Sequence, residues 1–265
     1  MEPTVASLSE DREGALSAAQ DAIAAGQCIV LPTDTVYGIG ADAFNAKAVA
    51  ALLAAKNRGR NMPPPVLIAE PAVLMTLGRD VSDHAKALAS ELWPGALTVI
   101  VAAQPSLNLD LGDTRGTIAI RVPNHADARD LLRRTGPMAV SSANRSGMPA
   151  ARTIDDAQLE LADKVAVYLD GGACDKHEPS TIVDFTTSDY GVVVRHGAIP
   201  IERLREIVPF LEDGVPAVEP EKPESEEAEP EKAESEKAGS EAAEPEATAS
   251  GEAAENGTQE SGAGA

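Results

Sequence analysis

The chain has 265 residues and a formal charge of −21; the segment from Leu211 onward, with 17 acidic residues against three lysines, carries −14 of it and the first 210 residues −7. No apolar run approaches the roughly 20 residues that span a bilayer, and Met1-Glu2-Pro3-Thr4 lacks the basic-then-apolar pattern of a secretory leader. The two cysteines, Cys28 and Cys174, are far apart and lack metal-ligand spacing, which argues against a disulfide framework and for a cytoplasmic protein.

In chain order, the apolar spacing of Leu16, Ala19 and Ile23 predicts a helix over 8–25 with Gly26 as its stop. A buried strand is expected at Cys28–Leu31, ended by Pro32, which cannot donate a ladder hydrogen bond. Residues 32–40, Pro-Thr-Asp-Thr-Val-Tyr-Gly-Ile-Gly, then gather hydroxyls and flexible backbone at a strand end, where ligands of α/β proteins sit. An ordinary strand-to-helix loop with threonine turns is the competing reading. Asn45 is the expected cap of a helix over 46–56, which runs into Lys56-Asn57-Arg58-Gly59-Arg60 and then Pro63-Pro64-Pro65, forcing extended backbone at 66–68.

A helix from Ser82 to Leu92, broken at Trp93-Pro94-Gly95, precedes an apolar strand over 97–102 and a polar loop over 103–116. Residues 117–122 alternate as a strand, and Asn124 is the expected cap of a helix reaching Arg134. Strands at 138–141 and 165–169 flank a helix over 153–161; strands over 180–185 and 192–195, joined by a short polar loop, read as a hairpin before a last helix over 200–208. This pattern predicts an α/β body, 1–210, with a mixed parallel and antiparallel sheet flanked by helices. Residues 211–265, rich in Glu, Ala, Pro and Ser and with no aromatic residue, are expected to be a disordered acidic tail.

Several side chains stand out as chemistry. Lys56, Arg58 and Arg60 put three cations in five residues; they suit a helix C-terminus or the oxygens of a phosphate. Arg121 shares a strand face with Ala119 and Thr117, a small polar surface fit for a cavity floor. Residues 141–147, Ser-Ser-Ala-Asn-Arg-Ser-Gly, read either as a turn or as an anion cradle, and Ser180-Thr181 repeats the theme. Arg195 adds a cation at the end of the last strand. No Ser/His/Asp triad, Walker loop or metal grouping among His84, His125, His177 and His196 is visible.

Taken in order, Pro-Thr-Asp-Thr-Val-Tyr-Gly (32–38), Lys-Asn-Arg (56–58), Trp-Pro-Gly (93–95), Thr-Ile-Ala-Ile-Arg-Val-Pro (117–123), Ser-Ala-Asn-Arg-Ser-Gly (142–147), Ser-Thr-Ile-Val-Asp (180–184) and Arg-His-Gly (195–197) resemble the threonylcarbamoyl-AMP synthase family. The resemblance runs from about residue 10 to residue 208 and implies a YrdC-like fold with a central concave cavity. It also implies a reaction in which L-threonine, bicarbonate and ATP, with Mg2+, give threonylcarbamoyl-adenylate and pyrophosphate. The product serves the N6-threonylcarbamoylation of adenosine at tRNA position 37, with hand-over to a transferase complex and weak tRNA contact as further expectations. By position, Thr35, Arg121, Ser142 and Ser180 match threonine-binding residues, and Arg58, Thr117, Asn144, Arg152 and Arg195 match ATP-binding residues. Lys56, with Arg58, matches the family's basic motif and is expected to face the phosphates as a catalytic group. The chain departs from the family at Met62-Pro63-Pro64 and Leu67, where Asn-Pro-Leu and a histidine are common. Two alternatives fit less well. A carbamoyl-adenylate domain of hydrogenase maturation would bring zinc-finger cysteines, and an RNA-binding module is opposed by the body's charge and few aromatics.

Overall fold

A computed structural model describes residues 2–174 and 178–216. The expected acidic tail falls mostly outside the described residues. In chain order the elements are β1 (Thr4–Ser7), α1 (Arg12–Ala24), β2 (Ile29–Leu31), β3 (Gly38–Asp42), α2 (Ala46–Ala55), β4 (Val66–Leu67), α3 (Leu74–Leu77), β5 (Gly78–Arg79), α4 (Asp83–Leu92), β6 (Leu97–Ala103), β7 (Thr117–Arg121), α5 (Ala126–Thr135), β8 (Met138–Ser142), α6 (Ile154–Leu161), β9 (Val167–Asp170), β10 (Thr181–Asp184), β11 (Val192–Arg195), α7 (Ile201–Ile207) and β12 (Glu212–Asp213). The helix ends follow local chemistry. Asp11, Asn45 and Ser82 accept backbone N–H bonds at the starts of α1, α2 and α4, and Thr153 and Asp156 form a reciprocal box at α6. His125, not Asn124, caps α5: its Nδ1 accepts from the Ala128 N–H at 3.4 Å.

The strands form one mixed sheet in the order β1-β9-β2-β3-β8-β4-β7-β6-β10-β11-β12, with β5 on β6. The expected hairpin is present as the antiparallel pair β10–β11. Residues 38–40, read from the sequence as the end of a loop, instead open β3, which pairs antiparallel with β2 and β8. Glycines suit this place because a Cβ at Gly38 would lie 2.6 Å from Val140 Cγ1, and one at Gly40 the same distance from Met138 Cε. The sheet also runs past the boundary expected at 210: Leu211 is buried and β12 pairs parallel with β11.

Period-two alternation divides the core between the sheet's faces. Ile29, Leu31, Met138, Val140, Val167 and Leu169 pack on one face with Leu16, Ala19 and Ile23 of α1 and Leu131 and Leu132 of α5. Val30, Ala139, Tyr168, Val99 and Ile120 point the other way, into a larger cluster with side chains of α2, α4, α6 and α7. The α1/α5 face is only partly covered. Further along the sheet the same alternation aims Thr98, Ile100, Thr117, Ala119, Arg121 and Ile182 into a cavity of about 460 Å3, and among the described residues no α-helical residue lines it. Its floor is therefore the sheet itself. Among the described residues no helix is long and apolar enough to cross a membrane.

Candidate active site

Thr35, Arg58, Thr117, Arg121, Ser142, Asn144, Ser180 and Arg195, eight of the ten residues singled out from the sequence, line this one cavity. Arg121 ends β7 and is 6% exposed. Its Nε donates to Gly95 O at 3.0 Å, its Nη1 to Thr35 Oγ1 at 3.0 Å and its Nη2 to Asp34 Oδ1 at 2.6 Å. Thr35 is presented by a local turn in which Thr33 Oγ1 donates to Val36 O at 2.6 Å and accepts from the Thr35 N–H at 3.2 Å. Tyr37 braces that turn from behind: its hydroxyl donates to Gly172 O at 2.6 Å and accepts from the Gly171 N–H at 3.1 Å.

On the far side of the floor, Arg195 donates from Nη2 to Ser180 O at 2.7 Å and to Ser180 Oγ at 3.0 Å, and the Ser180 hydroxyl lies 2.8 Å from Thr98 Oγ1. Arg58 Nη1 donates to Ser141 Oγ at 2.9 Å. The Asn144 amide nitrogen is fixed on Arg145 O at 2.9 Å and Met148 O at 2.7 Å. Two buried polar atoms of this wall, Arg58 Nε and Asn144 Oδ1, have no hydrogen-bond partner. Burial pushes the Arg58, Arg121 and Arg195 guanidiniums below their ordinary range, and the charges of Arg121 and Arg58 lower Arg195 further. Asp34 alone opposes this, by raising Arg121. Arg195 feels the charges of the other two guanidiniums across a cavity with one adjacent carboxylate, so the site favours an anion of more than one charge.

The basic run at 56–60 splits three ways. Arg58 reaches the cavity. Lys56, expected to face phosphates, is instead buried beneath the wall, 2% exposed; its Nζ donates to Asn144 O at 2.5 Å and to Ser142 O. Its position just past the end of α2, on the side packed against the Ser142–Asn144 turn, directs it inward. Arg60 turns outward: Nη2 donates to Asp110 Oδ1 at 2.6 Å, and its carbonyl accepts from the Asp113 N–H at 2.8 Å, tying the proline loop to the 108–116 loop. Arg152 is exposed and does not line the cavity; its backbone N–H is used on Asp156 Oδ2 at 3.0 Å at the start of α6. The sequence reading missed Asp34 and Thr98. Thr98 had a signal, a lone hydroxyl alternating with Leu97 and Val99. Asp34 had none beyond its place in the loop, since its partner is 87 residues away. Leu67, paired in register with Arg121, also lines the cavity, so the position where a histidine is common carries an apolar side chain here.

An α/β protein that turns an uncovered sheet face, three guanidiniums and a row of hydroxyls toward one cavity has the chemistry of a site for an anion with several oxygens. Residues 21–197 match the profile of the Sua5/YciO/YrdC family, described as telomere recombination. A Mycobacterium tuberculosis protein with the provisional name threonylcarbamoyl-AMP synthase is 49% identical over 199 residues, covering 75% of this chain and 91% of that one. The Bacillus subtilis threonylcarbamoyl-AMP synthase is 36% identical over 185 residues, 69% of this chain and 53% of its own. Among solved structures, P. abyssi Sua5 complexed with L-threonine superposes with a TM-score of 0.71 at 27% identity, over 80% of this chain and 62% of that one. The chain belongs to the Sua5/YciO/YrdC family.

Proposed function

We propose that this chain is an L-threonylcarbamoyladenylate synthase, a nucleotidyltransferase that forms threonylcarbamoyl-AMP and pyrophosphate from L-threonine, bicarbonate and ATP. The observation that carries the reading is the convergence of Arg58, Arg121 and Arg195 with Thr35, Ser142 and Ser180 on one cavity, in a chain whose relatives bear the synthase name and include a threonine complex. The threonine carboxylate is assigned to Arg121, with Thr35, Ser142 and Ser180 around it. The triphosphate is assigned to Arg58 and Arg195, with Thr117 and Asn144 alongside.

The chemistry asks for little beyond positioning. The threonine amine takes up bicarbonate as a carbamate, releasing water. A carbamate oxygen then attacks the α-phosphorus of ATP and pyrophosphate leaves. Negative charge grows on the transferring phosphoryl and on the leaving group, and fixed guanidiniums in a partly desolvated cavity stabilise it. Among the described residues no cluster of three or more acidic, histidine or cysteine side chains could hold a metal ion. Mg2+ is proposed to arrive bound to the phosphates of the incoming nucleotide. The product would supply the modification of adenosine at tRNA position 37, in the cytoplasm, by hand-over to a transferase. The test is pyrophosphate release by the purified chain with ATP, bicarbonate and Mg2+. Release should require threonine, with threonylcarbamoyl-AMP identified by mass; threonine-independent release, or none, overturns the reading.

A further inference from the structure

We infer that Asp34 is a positioning residue for substrate: it fixes the Arg121 guanidinium so that two N–H groups remain for the threonine carboxylate. The inference rests on the proposed function and extends it to a residue outside the binding set above. A guanidinium has five N–H donors. Gly95 O, Thr35 Oγ1 and Asp34 Oδ1 take three, one on each nitrogen. Three acceptors from two chain segments, the 34–35 turn and Gly95, one on each nitrogen, hold the plane against rotation. The pair is almost fully interior, with side chains 8% and 11% exposed. Asp34 also lines a second cavity of about 320 Å3, shared with Asn124 and His125, while its Oδ1 holds Arg121.

Two simpler roles for Asp34 make different predictions. A plain counter-ion competes with the incoming carboxylate, so its removal would leave a stronger positive field and tighten threonine binding. A purely structural ion pair would lower stability on removal without singling out one substrate. A positioning role predicts weaker threonine binding on removal despite the gain in positive field, because the remaining donors lose their aim.

The experiment is steady-state kinetics of the full chain and its Asp34→Asn, Asp34→Ala and Asp34→Glu variants, varying threonine and ATP separately. Asp34→Asn keeps an acceptor at the same reach and should hold the threonine KM within about threefold of wild type. Asp34→Ala should raise it about tenfold or more, with the ATP KM and kcat within about threefold. Asp34→Glu keeps the charge but pushes the guanidinium out of register, and should raise the threonine KM like Asp34→Ala; it keeps the inference testable if the alanine variant fails to fold. An unchanged or lower threonine KM in Asp34→Glu or Asp34→Ala overturns the inference, as does an Asp34→Asn variant as impaired as Asp34→Ala. A wild-type chain without threonine-dependent turnover overturns the functional reading, and this inference with it.

Discussion

The Lys56 ammonium and the carbonyl oxygen of Asn144 lie 2.5 Å apart inside the protein, with the Ser142 carbonyl as a second acceptor. One cation thus holds both ends of the turn that presents Ser142 and Asn144 to the cavity. Burial, and after it the charge of Arg58, pushes Lys56 down to about 8, against an opposing pull from Glu160. This makes the turn sensitive to alkali. The threonine-dependent kcat/KM should fall as pH rises through about 8, as the ammonium becomes a weaker-donating amine. Stability should move the opposite way. In the unfolded chain the group titrates near 10.5, so between about 8 and 10.5 the unfolded state binds more protons and the folded state gains. Melting temperatures of wild type, compared with Lys56→Met, should rise across that interval while activity drops. Activity that stays flat to pH 10 would remove the clamp from the account.

Arg58→Ala separates binding from folding. The side chain is half-buried, has an unpartnered Nε and hydrogen-bonds to Ser141 Oγ and, at 3.5 Å, Pro63 O. Deleting it removes a half-buried charge along with two modest hydrogen bonds, so stability should change by no more than about 1 kcal/mol. A lost phosphate contact is worth about 2–4 kcal/mol in the transition state, so kcat/KM for ATP should fall by a factor of roughly 30 to 1,000. Unchanged ATP kinetics would take Arg58 out of the phosphate site.

Gly38→Ala tests how the floor is made. Its new Cβ would meet Val140 Cγ1 at 2.6 Å, and Val140 both packs in the core and lines the cavity. A β-branched neighbour cannot rotate away cheaply, so overpacking of about 1–3 kcal/mol should outweigh the ~0.4–1 kcal/mol that a Gly→Ala change gains through the unfolded chain. Thermal denaturation should show a lower melting temperature, and the threonine KM should rise as Val140 shifts. A stabilised variant would mean that the strands part readily there.

Two truncations should behave differently. A chain ending at Pro216 keeps Leu211, β12 and the contact of His196 Nε2 with Asp213 Oδ1 at 2.9 Å, and should retain threonine-dependent activity. A chain ending at Phe210 loses a buried leucine and the strand on β11, and should be less stable by about 2–3 kcal/mol in a denaturant titration. Equal midpoints would show that the body does end at 210.

The sequence resolved one kind of information well and another poorly. Strands whose apolar residues alternate or run on, such as 97–102 and 117–122, were legible, and so was the consequence that Thr117, Ala119 and Arg121 share a face. β3 was not, because its glycines carry no side-chain pattern and read as loop; they are there for close approach to β8. The same limit applies to the cations. Lys56, Arg58 and Arg60 look equivalent in a row, yet their partners, the carbonyls at 142 and 144, Ser141 and Asp110, lie 50 to 88 residues away. Only the fold distinguishes a clamp, a ligand and a loop tie.

A cavity floored by central strands has a consequence for motion. The backbone amides beneath Arg121 and Thr98 are tied into ladders with two neighbours each, so the floor belongs to the part of the molecule that opens last. The rims, at 57–65 and 104–116, are held largely by exposed ion pairs and single hydrogen bonds. Hydrogen exchange should therefore divide the site in two: slow amides under the carboxylate of a bound amino acid, and fast amides around the nucleotide. Substrates would enter by displacing rim and water while the floor stays still, and a ligand seated on the floor would stabilise the whole sheet rather than one loop.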